Sequence, residues 1–334
     1  MVIKCSMHRK NERGHMKQQQ KYISIGGQAL IEGVMMRGPE RITMAVRHTS
    51  GEIRTETLPN NMSQRPALWR IPFVRGIFNF VDSMVLGYKC LMRSMELSGL
   101  EDEALEESGS AKKKDGKKPW WMTAMTVGAS ILGVALAVFL FIWLPTAIYN
   151  LLKSGIPLLD SRVLQAVFEG LFKLAIFIAY VWAVSHMEDI HRTFMYHGAE
   201  HKTIFCFEHG RELTTENVRE QSRFHPRCGT SFIVLLLLIS ILVSMAIPHS
   251  LPTMTRALIK LCCLPIVMGL GYEALKLAGR KDNAFTRIIS APGLWVQRLT
   301  TAEPTDDMIE CAVTAFKDVL PPDVSSVFDG GVHA

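Results

Sequence analysis

The sequence predicts a mainly α-helical, polytopic membrane bundle of about four spans. To this it adds a small cytosolic β-hairpin or β-sheet element and an amphipathic helix at the membrane interface. Three observations carry that expectation. Hydrophobic residues make up 48% of the 334-residue chain. Four apolar runs between Met122 and Leu277 are long or dense enough to cross a hydrocarbon core. Basic residues gather beside alternate ends of those runs, as topology signals do.

Residues 1–21 are basic and Gln-rich without apolar periodicity, so they are expected to be disordered. They lack an apolar h-region, so no cleavable signal peptide is expected. Residues 22–70 form the β-rich element. Tyr22 to Pro39 starts strand-like and is punctuated by Gly26, Gly27, Gly33 and Gly38. No Gly-Lys-Ser/Thr follows, which excludes a Walker loop. The glycines suit a strand and turn packed close to another backbone. Gln28, Glu32 and Arg37 are the polar groups this segment could bring to a site. From Ile42 to Leu58 the pattern alternates around Thr49-Ser-Gly-Glu52, which predicts a hairpin of Ile42–His48 and Ile53–Leu58. Such a sheet is too small to fold alone and must dock on something else.

Residues 71–98 hold the amphipathic helix, from Pro72 to Leu97. Arg75, Asn79, Asp82, Lys89 and Arg93 share one stripe and apolar residues cover the rest. This suits a helix in the membrane interface, with packing on the bundle as the alternative. Residues 99–119 are a solvated linker, an acidic block followed by five lysines.

Residues 120–300 make the bundle. The expected spans are Met122–Leu144, ended by Pro145, then Val163–Val184, Phe232–Ile247 and Leu258–Leu277. Trp120 and Trp121 anchor the first. Glu169 and Lys173, four apart in the second, are placed to pair. Glu273 in the fourth must face the bundle or a partner such as Lys276. The fourth run, with Pro265 inside it, also suits a re-entrant helix. Arg280–Thr300 reads as a surface helix or loop. Residues 301–334 hold a short helix, Asp306–Leu320, and a tail.

The basic flanks place both termini and the loop 186–230 in the cytosol of a plasma-membrane protein. Membrane lipids are therefore expected partners. The net charge is +6, but no basic stripe with interleaved aromatics appears, so nucleic acid is not an expected partner. Seven cysteines without a C-x-x-C pair read as reduced thiols.

The loop 186–230 carries six of the eleven histidines. At its centre His197-Gly-Ala-Glu200-His201 has the H-x-x-E-H order. On a helix, residues four apart share a face, so two imidazoles and a neighbouring carboxylate come together. That is half of a metal site with a general base beside it. The order also defines inverzincin metallopeptidases, although no second helix with a distant Glu ligand is evident here. His225-Pro-Arg-Cys228 supplies the leading candidates for the remaining ligands, with Glu32, Glu188 and Glu208 as alternatives. Two arrangements stay open. His197, His201 and one of His225 or Cys228 would leave a position for water and make Glu200 the catalytic base. All four ligands would close the site and make it structural. Cys and His donors favour zinc among divalent metals, with iron still open. Arg227 suits a carboxylate, a phosphate or a lipid headgroup.

Gly26 to Pro39, Tyr196-His-Gly-Ala-Glu-His-Lys202, and His225-Pro-Arg-Cys-Gly-Thr-Ser231 occur in this order along the chain. With Ile71-Pro-Phe-Val-Arg-Gly76 and Leu213 to Val218, they resemble the YqhQ-like family of bacterial multi-pass membrane proteins. The resemblance runs from about Ile23 to Leu299. It implies a metal-dependent enzyme, since the family is described as such by prediction, and implies nothing for the two ends of the chain.

The expected function is a cytosol-facing, metal-dependent membrane enzyme. A hydrolase acting on an unidentified small-molecule, lipid-linked or membrane-proximal peptide substrate fits best. The alternative is a non-enzymatic assembly factor or transporter accessory with a structural metal or polar cluster. Neither sequence pattern bears on oligomeric state.

Overall fold

A computed structural model describes residues 3–4, 22–23, 25–60, 69, 71–100, 120–155, 161–226, 228–248, 250–278 and 284–321. Among them the chain is mainly helical with a four-stranded antiparallel sheet. The expected linker 99–119, the tail after Pro321, and Arg227 lie outside the described residues, apart from Gly99 and Leu100.

Strand β1 (Ile3–Lys4) pairs with β2 (Tyr22–Ile23). The main sheet runs β3 (Gly26–Leu30), β4 (Gly33–Arg37), β5 (Arg41–Arg47), β6 (Ile53–Pro59), each paired with the next. The expected hairpin is β5–β6, with Arg47 opposite Ile53. The glycine-punctuated segment is itself a hairpin, with Leu30 opposite Gly33. Ile31 and Glu32 make its turn, and Glu32 takes a left-handed φ of 52°. A turn of that kind is usually announced by Asn-Gly or Asp-Gly, which is why the sequence pattern hides it.

Alternation along β4 and β5 sends successive side chains to opposite faces. Val34, Met36 and Ala45 join one core with Tyr196, Phe207, Ile309 and Phe316. Met35, Ile42, Met44 and Val46 join another with Cys90. Helix α1 (Val74–Ser98) covers the second face. It also reaches the bundle, where Arg75 Nε donates to Glu273 Oε1 at 2.7 Å and Asn79 Nδ2 to Tyr272 Oη at 3.0 Å. Helix α1 therefore ties the sheet to the bundle. Glu273 is paired with Arg75 in that tie, rather than with Lys276 alone.

The bundle begins with α2 (Trp120–Val138), which passes through a π-helical turn (Phe139–Trp143) into α3 (Leu144–Gly155). The expected stop at Pro145 does not occur. The π turn lets Leu144 N–H bond to Phe139 O, and the wider ring accommodates the proline's missing donor and its bulk. Next come α4 (Arg162–Val184), α5 (Glu188–Glu208), α6 (Thr215–Arg219) and α7 (Gly229–Met245). Helices α8 (Thr253–Cys262) and α9 (Leu264–Ala278) follow, bent by 45° at Cys263. Pro265 sits in the first turn of α9, where its absent N–H costs nothing.

Two helical stretches, Val127–Gly155 and Arg162–Val184, are long and apolar enough to cross a membrane; the bent α8–α9 pair adds a third if it counts as one span. Helix α7 is apolar but shorter. Helix α10 (Ala284–Thr300) packs on α7 and buries Val296 and Gln297 while exposing Trp295, so the expected surface segment is half inside the bundle. Helix α11 (Asp306–Val319) is wedged between α5 and the sheet. Its Phe316 meets Phe207 with ring centroids 5.1 Å apart. Truncating such a ring costs about 3–5 kcal/mol.

Candidate metal centre

Helix α5 carries His197, Glu200 and His201. Its N-terminal half is held to the β3–β4 turn by Arg192, which grips Glu32 through Nε–Oε1 at 2.6 Å and Nη2–Oε2 at 2.5 Å. Tyr196 Oη adds a bond to Glu32 at 3.3 Å. Gly198 lets the backbone at Ala302 cross the helix in direct contact, and Ala302 N–H bonds to Phe194 O at 2.9 Å. The chain leaving α10 is thereby laid against the histidine face of α5.

That crossing orients the imidazoles. His197 Nδ1 donates to Thr300 O at 2.8 Å and His201 Nδ1 to Arg223 O at 2.5 Å. Carbonyls only accept, so both rings carry the proton on Nδ1 and present a lone pair on Nε2. His197 Nε2 lies 3.2 Å from Cys228 Sγ. One donor atom from each of His197, His201 and Cys228 lies within 4.8 Å of the others. Ligands around a tetrahedral zinc stand about 3.3–3.8 Å apart, from bond lengths of ~2.0–2.3 Å, so small side-chain shifts fit this trio to zinc. Burial pushes the His201 imidazole below its ordinary pKa, aided by His197 and opposed by Cys228. A neutral imidazole is the form that binds metal. Cys228 is the N-cap residue of α7, so the centre sits where the polar unit meets the bundle.

Glu200 stands outside the trio. It turns onto β3, where Gly27 N–H donates to its carboxylate, and a side chain at Gly27 would come within 2.7 Å of it. Burial pushes the Glu200 carboxyl up to about 7, opposed first by His197 and then by the Gly27 N–H. An acid in that range is suited to give and take a proton near neutrality.

The other expected residues separate. His225 is not in the trio. Its Nε2 lies 3.5 Å from Glu208 Oε1 and its ring packs on Phe205. Gln297, fully buried, clamps the His225 backbone by accepting from its N–H at 2.8 Å and donating to its carbonyl at 2.7 Å. That clamp holds the backbone three residues before Cys228, and Cys228 is the one that stands with the two histidines. Gln28 faces α1 at Gly87, on the sheet face opposite Gly27. Glu32 is spent on Arg192, and Arg37 Nη2 reaches Asn60 at 3.3 Å and Asp82 at 3.1 Å. None of the three is brought to the histidines. The glycine strand does reach Glu200, through the Gly27 backbone. Sequence reasoning missed Gln297, Thr300 and Arg223, of which two act through carbonyls that leave no side-chain signal.

The family model described as a protein of unknown function, DUF1385, matches residues 71–322. The chain is 35% identical over 302 residues to the uncharacterized protein YqhQ of Bacillus subtilis (strain 168), covering 89% of this chain and 92% of that protein. No solved structure matches the chain.

Proposed function

We propose that this chain, which belongs to the DUF1385, YqhQ-like family of proteins of unknown function, is a metal-dependent membrane hydrolase. In this reading four segments, α2–α3, α4, α7 and α8–α9, cross the plasma membrane, and the basic flanks keep the histidine centre in the cytosol. His197, His201 and Cys228 hold a divalent metal, zinc by the softness of the thiolate. The observation that carries the reading is the shared tautomer of the two imidazoles. Both spend Nδ1–H on a backbone carbonyl and both side chains reach Cys228, His197 through Nε2.

Bound zinc would supply a water acidified to a pKa of about 7. Glu200 would be the group to take the proton from it and return it to the leaving atom. Gly27 N–H steadies the carboxylate for that task. Three ligands leave a position for water, and neither His225 nor Glu200 belongs to the ligand group. The substrate is membrane-proximal or lipid-linked, because Cys228 caps a helix of the bundle. Glu200→Gln tests the role directly. A base is removed while the metal stays, so function in a complementation assay is lost at full metal content.

One observation favours a second reading, a non-enzymatic assembly factor with a structural metal. The centre also stitches α5, the segment 223–228 and the end of α10 together. A scaffold of that kind tolerates Glu200→Gln and fails only when the metal is lost.

A further inference from the structure

A second polar cluster lies in the first half of α4, at the opposite end of that helix from the segment leading into α5. Glu169 on α4 is fully buried, as are Gln165 on α4 and Arg256 on α8, and Lys173 and Lys260 are 7% exposed. Lys260 Nζ is ion-paired with Glu169 Oε2 and donates to Thr146 Oγ1 at 2.7 Å. Gln165 Nε2 donates to Glu169 Oε1 at 3.0 Å, and Arg256 Nη2 lies 3.7 Å from the same oxygen. Lys173, one turn along α4, feels the charge of Glu169, but among the described residues the ion pairs to that carboxylate come from α8. Three cations thus surround one carboxylate inside a bundle whose helices are built to cross a membrane. Two unmatched positive charges are costly in such a place and mark a functional group of residues.

Among the described residues, two shielded atoms here have no hydrogen-bond partner, Arg256 Nε and Gln165 Oε1. Arg256 Nη1 is committed to Pro248 O at 3.0 Å. Nη2 faces Glu169 Oε1, so Nε is the donor left uncommitted, and a guanidinium N–H pairs strongly with an oxyanion. Gln165 Oε1 is an acceptor and needs a hydrogen from its partner. Both head groups meet at the same oxygen of Glu169.

We propose that Arg256, Lys173, Lys260 and Gln165 form a binding site for a protonated phosphate group inside the bundle. One phosphate oxygen accepts from Arg256 Nε, the P–OH donates to Gln165 Oε1, and the negative charge offsets the surplus cations. The site is independent of the metal centre. The phosphate is that of a lipid headgroup or of a free phosphate ion, which share this chemistry.

The test uses full-length protein in detergent and in nanodiscs. Thermal stability is followed against inorganic phosphate in detergent, and in phosphatidylcholine bilayers with and without phosphatidic acid. Stabilisation that saturates with inorganic phosphate assigns the site to the free ion. Stabilisation by phosphatidic acid alone assigns it to a lipid headgroup. Arg256→Gln and Lys173→Met should each weaken the effect by at least about tenfold, the scale of a lost charge-assisted contact. His197→Ala should leave it unchanged. Lys173→Met removes a buried charge without removing volume, so it keeps the test decisive if Arg256→Gln does not fold. No stabilisation by either phosphate source, or equal stabilisation of Lys173→Met and wild type, overturns the proposal. It would leave a structural network with a water between Arg256 and Gln165.

Discussion

His197 Nε2 and Cys228 Sγ stand 3.2 Å apart across 31 residues of chain. Neither residue reaches the other by local geometry. The chain returning from α10 fixes the imidazole, and Gln297 of α10 holds the His225 backbone three residues before the thiol. The centre is therefore a product of tertiary packing between α5, α7 and α10.

Cys228 should be the thiol whose reactivity depends on metal. Burial pushes Cys206 up to about 11 and Cys311 up to about 12, so both hold their protons and resist alkylation. Mass-spectrometric mapping of iodoacetamide labelling should find Cys228 modified in chelator-treated protein and protected after zinc is restored. Cys206 and Cys311 should stay unmodified in both. Equal labelling of Cys228 with and without zinc counts against its role as a ligand.

His225→Ala should retain metal. The ring packs against Phe205 and faces Glu208 outside the trio, so its removal creates a void without removing a ligand. The expected result is a fall in melting temperature at unchanged zinc stoichiometry. Loss of the metal would instead support the four-ligand, closed arrangement.

Gly27→Ala should damage the base while sparing the ligands. The added Cβ would meet the Glu200 carboxyl at 2.7 Å, and overpacking of this kind costs about 1–3 kcal/mol. Zinc content should be unchanged and complementation impaired, as in Glu200→Gln. Normal complementation by Gly27→Ala would show that the position of Glu200 is unimportant.

Much of this architecture is legible in sequence. Periodicity places α1, α4 and α11 within a few residues, and the alternation around Thr49-Ser-Gly-Glu52 places β5–β6. The H-x-x-E-H order puts His197 and His201 on one face. What the pattern hides is pairing over distance. Glu169 has Lys173 four residues away, yet its ion pairs come from Arg256 and Lys260 on α8. Glu273 answers to Arg75 across 198 residues. His225 and Cys228 look equivalent as ligands in sequence, and in the fold only Cys228 stands with the two histidines. The β3–β4 turn lacks a turn signature because the Arg192 pair holds Glu32 in place.

A pH comparison separates Glu200 from its surroundings in metal-free protein. Its folded pKa, about 7, is raised above the ordinary 4.5 by burial. A raised carboxyl contributes stability below its unfolded pKa and loses it as pH climbs through the folded value. Glu200→Gln should therefore gain on wild type in melting temperature from about pH 5 to pH 7 and hold that gain toward pH 8. A constant difference across that range would mean the carboxyl is solvated.

The most direct test of the metal centre is elemental analysis of detergent-purified wild type beside His201→Ala and Cys228→Ser. The arrangement of His197, His201 and Cys228 predicts about one zinc or iron per chain, lost in both variants. Wild type without stoichiometric metal, or either variant with full metal, would contradict it and leave the imidazoles as hydrogen-bonding residues that only hold α5 to α10.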